Sequence, residues 1–226
     1  KFINKYKSPN YDKRKKGAKV LYIILHYTAM LSDIEALNYL CNKKNKVSSH
    51  FLINKKGKIY QLVNLKKRAW HAGESYWAGK KDINSYSVGI EIDNSGKLIN
   101  YENYTKNQIF SLIKLSKYLI KKYDININNI LGHSDIAPYR KVDPGEKFPW
   151  IKLNSLNLAI IPKNSRKKDI NKLENIFKRK RIRSISEKAL FMLGKIGYDT
   201  RKAQESKKNL LLLIKAYQSH YRKSLV

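Results

Sequence analysis

The chain carries two hydrophobic rhythms, and each predicts a kind of element. Residues 19–25 (Lys-Val-Leu-Tyr-Ile-Ile-Leu) form a short apolar run rich in β-branched and aromatic side chains, as expected of a strand buried on both faces. It ends at His26. Residues 87–92 alternate instead: Val88, Ile90 and Ile92 share one face, and Ser87, Gly89 and Glu91 the other. An acidic side chain inside such a strand needs a cation, a donor or water. Residues 50–54 and 59–63 flank a turn at Gly57 and read as a hairpin, with Phe51 and Ile53 on one face and His50 and Leu52 on the other. A further short apolar segment, 127–131, runs into a Pro- and Gly-punctuated loop that ends at Gly145.

Helical spacing fills the intervals. Ser32 with Glu35 and Thr105 with Gln108 are capping boxes, which start helices at 33 and 106. The first is expected to reach Asn42. The second runs to Tyr123 with Ile109, Leu112, Ile113, Leu115, Ser116 and Leu119 on one face. Residues 69–85 make a long loop rich in Gly, Ser, Tyr and Trp, and loops of that length in compact domains tend to be functional. Residues 1–19 read as an extended basic arm on the surface. Phe148, Pro149 and Trp150 close a first domain over 1–153. A basic linker is expected over 154–169, followed by a three-helix module over 170–226, its helices at 169–177, 185–197 and 204–221. The fold class is α/β.

Composition changes this picture in one respect. The 226 residues carry 48 Lys and Arg against 17 Asp and Glu, a formal charge of +31, and ten of the cations fall between Lys163 and Arg183 against two acids. Such a balance points to a polyanionic partner. An anionic lipid surface and an acidic cell-wall polymer are both candidates; no recognition-helix pattern or RNA-binding signature accompanies the charge, so no specific nucleic acid is expected, and heavy use of Lys, Asn and Ile also accounts for part of it. No run of about 18 apolar residues exists to span a membrane. A single cysteine, Cys41, excludes an intramolecular disulfide and any Cys-rich zinc motif. It reads as a packing residue.

Candidate chemistry gathers at strand ends. His26 and His133 both end predicted strands, and Asp143 follows His133 by ten residues in a loop braced by Pro138 and Pro144. Two neutral imidazoles and a carboxylate suffice for a zinc ion with an open fourth position. Each residue taken singly also has an ordinary structural reading, Glu91 as the partner of a buried cation and Lys141 as a solvated charge. Spacing alone does not name a reaction.

Five ordered motifs do name one. Ile-Leu-His26-Tyr-Thr-Ala, Val-Ser-Ser-His50-Phe-Leu-Ile, Ala-Trp70-His71-Ala-Gly, Ser-Val-Gly-Ile-Glu91-Ile and Gly-His133-Ser-Asp-Ile-Ala-Pro-Tyr-Arg-Lys141-Val-Asp143-Pro-Gly resemble the zinc-dependent N-acetylmuramoyl-L-alanine amidases, in their AmpD- and AmiD-like bacterial branch. The resemblance implies a mixed central β-sheet flanked by helices, as in peptidoglycan recognition proteins. It implies one Zn²⁺ on His26, His133 and Asp143, with Glu91 as the catalytic carboxylate and Lys141 as the catalytic lysine. Tyr27, His50, Trp70, His71 and Ala72 become candidate substrate contacts, although His50 reads as structural rather than as a ligand. Two positions depart from other branches: Ser49 stands where phage-type members have tyrosine, and Asp143 where many relatives have cysteine. The implied substrates are peptidoglycan and muropeptides, including the 1,6-anhydro form. A non-catalytic peptidoglycan-binding protein is the alternative, and a broken ligand set would favour it. Residues 186–223, with Leu-Gly-Lys-Ile-Gly-Tyr198 and Ile-Lys-Ala-Tyr-Gln-Ser-His220-Tyr-Arg222, resemble the helical wall-binding module of AmiD-like members. There His220 is expected to cap or pack within the last helix. A monomer is expected, in the periplasm or at the outer membrane of a Gram-negative bacterium, with the cytoplasm as the alternative.

Overall fold

The computed structural model describes residues 2–99, 101–162 and 165–225. Among these, the strands are β1 (Tyr11–Lys13), β2 (Tyr22–Tyr27), β3 (Phe51–Ile53), β4 (Ile59–Gln61), β5 (Lys67–Ala69), β6 (Tyr76–Trp77), β7 (Lys80–Lys81), β8 (Ser87–Ile92) and β9 (Ile130–Gly132). The helices are α1 (Asp33–Cys41), α2 (Ile83–Tyr86), α3 (Lys106–Tyr123), α4 (His133–Ile136), α5 (Trp150–Asn154), α6 (Lys167–Arg179), α7 (Ile185–Ile196), α8 (Arg201–Glu205) and α9 (Lys207–Tyr221).

Five strands make the central sheet in the order β4-β3-β8-β2-β9, antiparallel at the β4–β3 hairpin and parallel elsewhere. This is the mixed sheet the motifs imply. Its register sets His26 opposite Glu91 and Leu25 opposite Gly132, so the parallel strands deliver the candidate residues to one end. The carboxyl ends of parallel strands are where α/β sheets hold ligands.

Alternation assigns the faces. Ile23, Leu25, Phe51, Ile53, Val88, Ile90, Ile92 and Ile130 pack against Leu112, Leu115 and Leu119 of α3, whose capping box forms as expected. The opposite face is shared. Leu52 and Tyr60 lie under Ala36, Leu37 and Leu40 of α1. Tyr22, Ile24 and Leu131 lie under Leu193, Tyr198, Leu213 and Ala216 of the C-terminal helices. A cleft opens between α1 and the loop that carries residues 140–143.

The N-terminal arm lies along the surface as expected, with most of its side chains exposed, but it is anchored there: Phe2 packs on Phe51 with ring centroids 5.1 Å apart, Ile3 bridges to Tyr60, and Arg14 donates to the carbonyls of Leu65, Asn84 and Ser85. Its basic composition hides a few apolar and hydrogen-bonding anchors. The first half of the expected linker is core, with Leu158 and Ala159 buried among the α3-side residues and Leu156 and Ile161 packed on them. Its residues 163–164 lie outside the described residues, and α6 begins at Lys167, inside the expected linker. The module holds α8 in addition to the three expected helices and shares a hydrophobic cluster with the sheet. Among the described residues no helix is long and apolar enough to cross a membrane.

Candidate active site

His26 is the penultimate residue of β2, His133 opens the single turn of α4 after β9, and Asp143 arrives from the loop that follows. The Ser134 N–H donates to the Asp143 carbonyl at 2.9 Å and ties the two loop ligands together. The three side chains converge. His26 Nδ1 and His133 Nδ1 are 3.0 Å apart, and Asp143 Oδ2 lies 3.1 Å from the first and 3.0 Å from the second. All three residues are buried.

Hydrogen-bond counting fixes where the protons are. Ser87 Oγ donates to the Ile83 carbonyl at 2.7 Å, so its oxygen accepts from His71 Nε2–H at 3.1 Å. His71 Nδ1 is then bare and accepts from His26 Nε2–H at 3.0 Å, which leaves His26 Nδ1 bare. His133 reaches the same state more directly, since its Nε2–H donates to the Ala72 carbonyl at 3.2 Å. Three acceptor atoms therefore face one another with no proton among them. Such a triangle is repulsive unless a cation occupies it. Burial, followed by repulsion from His133, pushes His26 down to about 4, which keeps the ring neutral at physiological pH. This donor set suits a divalent metal of the zinc type: the edges approach the ~3.3 Å expected between ligands of a tetrahedral ion with 2.0–2.1 Å bonds.

Glu91 sits beside the triangle, one strand over. Its Oε2 is buried and makes no hydrogen bond. Burial first, and then the Asp143 charge, raises its pKa well above the carboxylate range, opposed by Lys141. An unpartnered carboxyl group of raised proton affinity in a cleft is poised for proton transfer. Lys141 lines the same cleft and is partly exposed. Arg140 lines the cleft as well, but its guanidinium is engaged in donating to the carbonyls of Ala72 and Glu74.

The cleft, about 430 Å³, runs between Met30, Tyr39 and Leu40 on the α1 side and Lys141 and Val142 on the other, with His26, His71, Glu91, His133 and Asp143 at its floor. Tyr27 lines it as expected of a substrate contact, and its phenol is pushed up by burial and by Asp143. His71 lines it too and also orients His26, a role the motif does not suggest. Gly89 makes room for that ring: a Cβ there would meet His71 at 2.5 Å. Ser87 and Gly89 were legible on the Glu91 face of the strand; what they serve became visible only with His71 in place.

Three candidate substrate contacts fall outside the cleft. Ala72 is fully buried, and its carbonyl orients His133 and takes Arg140. His50 is fully buried behind the floor, where Nδ1 accepts the Gly89 N–H at 3.1 Å and Nε2 meets the Lys67 carbonyl at 3.1 Å. From its place just before β3 it ties β8 to the Lys67 strand. Trp70 lines no part of the cleft; its backbone pairs with Ser48.

A model of the N-acetylmuramoyl-L-alanine amidase family matches residues 16–146. The chain is 33% identical over 221 residues to the N-acetylmuramoyl-L-alanine amidase AmiD of Escherichia coli K12, covering 92% of this chain and 76% of AmiD. It is 34% identical over 161 residues to the 1,6-anhydro-N-acetylmuramyl-L-alanine amidase AmpD of Haemophilus influenzae, covering 63% of this chain and 85% of that protein. The solved structure of E. coli AmiD in complex with the substrate anhydro-N-acetylmuramic acid-L-Ala-D-γ-Glu-L-Lys superposes with a TM-score of 0.76 at 30% identity, over 94% of this chain and 85% of AmiD. AmpDh3 of Pseudomonas aeruginosa gives 0.74 at 29% identity, over 93% and 85%. With the sheet, the donor triangle and the sequence match in agreement over the same residues, this chain belongs to the N-acetylmuramoyl-L-alanine amidase family.

Proposed function

We propose that this chain hydrolyses the amide joining the lactyl group of N-acetylmuramic acid, in its reducing or 1,6-anhydro form, to the L-alanine of the stem peptide. The observation that carries the reading is the set of three mutually facing, proton-free acceptor atoms with an unpartnered Glu91 beside them. His26, His133 and Asp143 would hold one Zn²⁺, whose nitrogen-rich donor set disfavours calcium or magnesium. A zinc ion bound there supplies Lewis acidity and brings the pKa of water at its open position to about 7.

The protein's own residues then divide the work. Glu91 takes the proton of the attacking water and returns it to the departing L-alanine amine, a transfer its raised proton affinity favours. Lys141 lies two residues from Asp143 and presents its ammonium to the oxyanion that develops on the amide carbonyl. His71 and Ala72 hold the imidazoles in the tautomers the site requires. All of these residues come from one chain, so a monomer suffices.

Two likenesses support the substrate class: AmiD and AmpDh3 superpose over nearly the whole chain, and their solved complexes hold anhydromuramyl peptides. The test is mass spectrometry of products from 1,6-anhydro and reducing-end muropeptides side by side. A free peptide beginning at L-Ala, with the lactyl ether intact on the sugar, is expected from both. Cleavage within the peptide or the glycan would contradict the reading. The same reading puts the enzyme in the envelope, in reach of the sacculus; recovery of the protein in the cytosolic fraction alone would overturn that part.

A further inference from the structure

Asp135 stands two residues past His133 and is fully enclosed. Its carboxylate serves both the ligand loop and the C-terminal module. Oδ2 accepts the Gly132 N–H at 2.7 Å, immediately before His133, and the Nδ1–H of His220 at 2.7 Å. Oδ1 accepts the Tyr198 hydroxyl. Tyr198 lies in the turn between α7 and α8, and His220 at the end of α9. Both are themselves held. His220 stacks between Trp150 at 3.6 Å and Tyr221 at 3.9 Å, and Tyr198 meets the Trp77 ring at 4.9 Å.

The ligand loop needs such support. α4 has four residues, and one helical turn does not hold its own geometry in water. Removing a donor from a buried carboxylate leaves charge uncompensated, so the surrounding backbone shifts to find another partner. Here that backbone is Gly132-His133-Ser134, which carries one ligand and is bonded to the other loop ligand through Ser134 N–H.

We propose that the C-terminal module is a working part of the metal centre: Tyr198 and His220 are positioning residues that hold Asp135, and through it aim His133 at the other two donors. The inference rests on the reading of His26, His133 and Asp143 as zinc ligands. It assigns the module a second task besides any hold on the wall.

The test is zinc affinity, measured by competition with a chromogenic chelator, for the full-length wild type and for Tyr198→Phe, His220→Leu and His220→Asn. Tyr198→Phe removes one oxygen and keeps the ring packing, so it reports even if His220→Leu fails to fold. Tyr198→Phe and His220→Leu are expected to weaken zinc binding about tenfold or more, in the range seen when partners of metal ligands are lost. They should lower kcat on a soluble muropeptide more than they raise KM. His220→Asn keeps a donor near the Nδ1 position and should recover most of the affinity. Wild-type affinity in folded Tyr198→Phe and His220→Leu, or equal losses in His220→Leu and His220→Asn, would overturn the proposal. Absence of zinc binding by the wild type would instead overturn the ligand reading on which it rests.

Discussion

Two buried clusters in this protein each set histidine against aspartate and behave in opposite ways. In one, His26, His133 and Asp143 turn three bare acceptors toward one another at 3.0–3.1 Å. In the other, Asp135 receives a donor for each contact, from Gly132, Tyr198 and His220. Every contact to the carboxylate of the second carries a proton; the first is complete only with a cation. Identity and burial of the residues do not separate them. What separates them is the proton inventory, set one bond further out: His71 and Ala72 strip the inward nitrogens of hydrogen, while the module brings its hydrogens in. Buried histidine and aspartate signal a cation site when their acceptor atoms face one another with no proton between them.

The contrast can be broken from either side, and the largest effect belongs to the ligands. His133→Ala or Asp143→Asn should abolish zinc binding and hydrolysis together, read as metal content and turnover of the purified variants. A variant that lost zinc and kept its turnover would show that the triangle is not the reactive site. Next come the groups that act on substrate. Glu91→Gln is expected to lower kcat by about 10²–10⁴-fold with zinc retained, and Lys141→Met by about 10²–10³-fold. Loss of zinc in Glu91→Gln would move that residue from proton transfer into metal binding. A smaller effect is expected at the outer support, where His71→Ala frees the His26 ring and should weaken zinc affinity by about 10–100-fold. Isothermal competition with a chelator measures it, and unchanged affinity would remove His71 from the tautomer chain.

Much of this was legible in the chain, for physical reasons. Period-two alternation in 87–92 put Glu91 on the face opposite the core, and that is where it lies. The strand endings, which fall at Tyr27 and Gly132 beside His26 and His133, and the capping box at Thr105 follow from local chemistry that needs no tertiary context. What escaped depends on distant partners. Nothing near His220 announces that its ring bonds a carboxylate 85 residues upstream. Leu156, Leu158 and Ile161 lack a period because they fill gaps between elements, so they read as linker. His50, Trp70 and Ala72 carry family motifs whose local pattern does not distinguish a side chain that touches substrate from one that supports the floor.

His50 offers the mildest test, through stability. Burial first, then the neighbouring Arg14 charge, pushes its pKa down to about 3, against about 6.5 in an unfolded chain. The unfolded state therefore takes up a proton that the folded state refuses. The stabilisation is fully present above pH 6.5 and is lost as pH falls toward 3. His50→Gln should show a shallower decline of Tm across that window, whatever its starting Tm; parallel declines would mean that His50 is not among the groups that set the acid limit.

The central claim is that the three bare acceptors hold one zinc on which hydrolysis depends. Its most direct test is a titration of metal-free protein with zinc, followed by release of stem peptide from an anhydromuropeptide. The account predicts negligible release without metal and a linear rise that levels off at one zinc per chain. Metal-free protein that hydrolysed as fast as the reconstituted enzyme would contradict it.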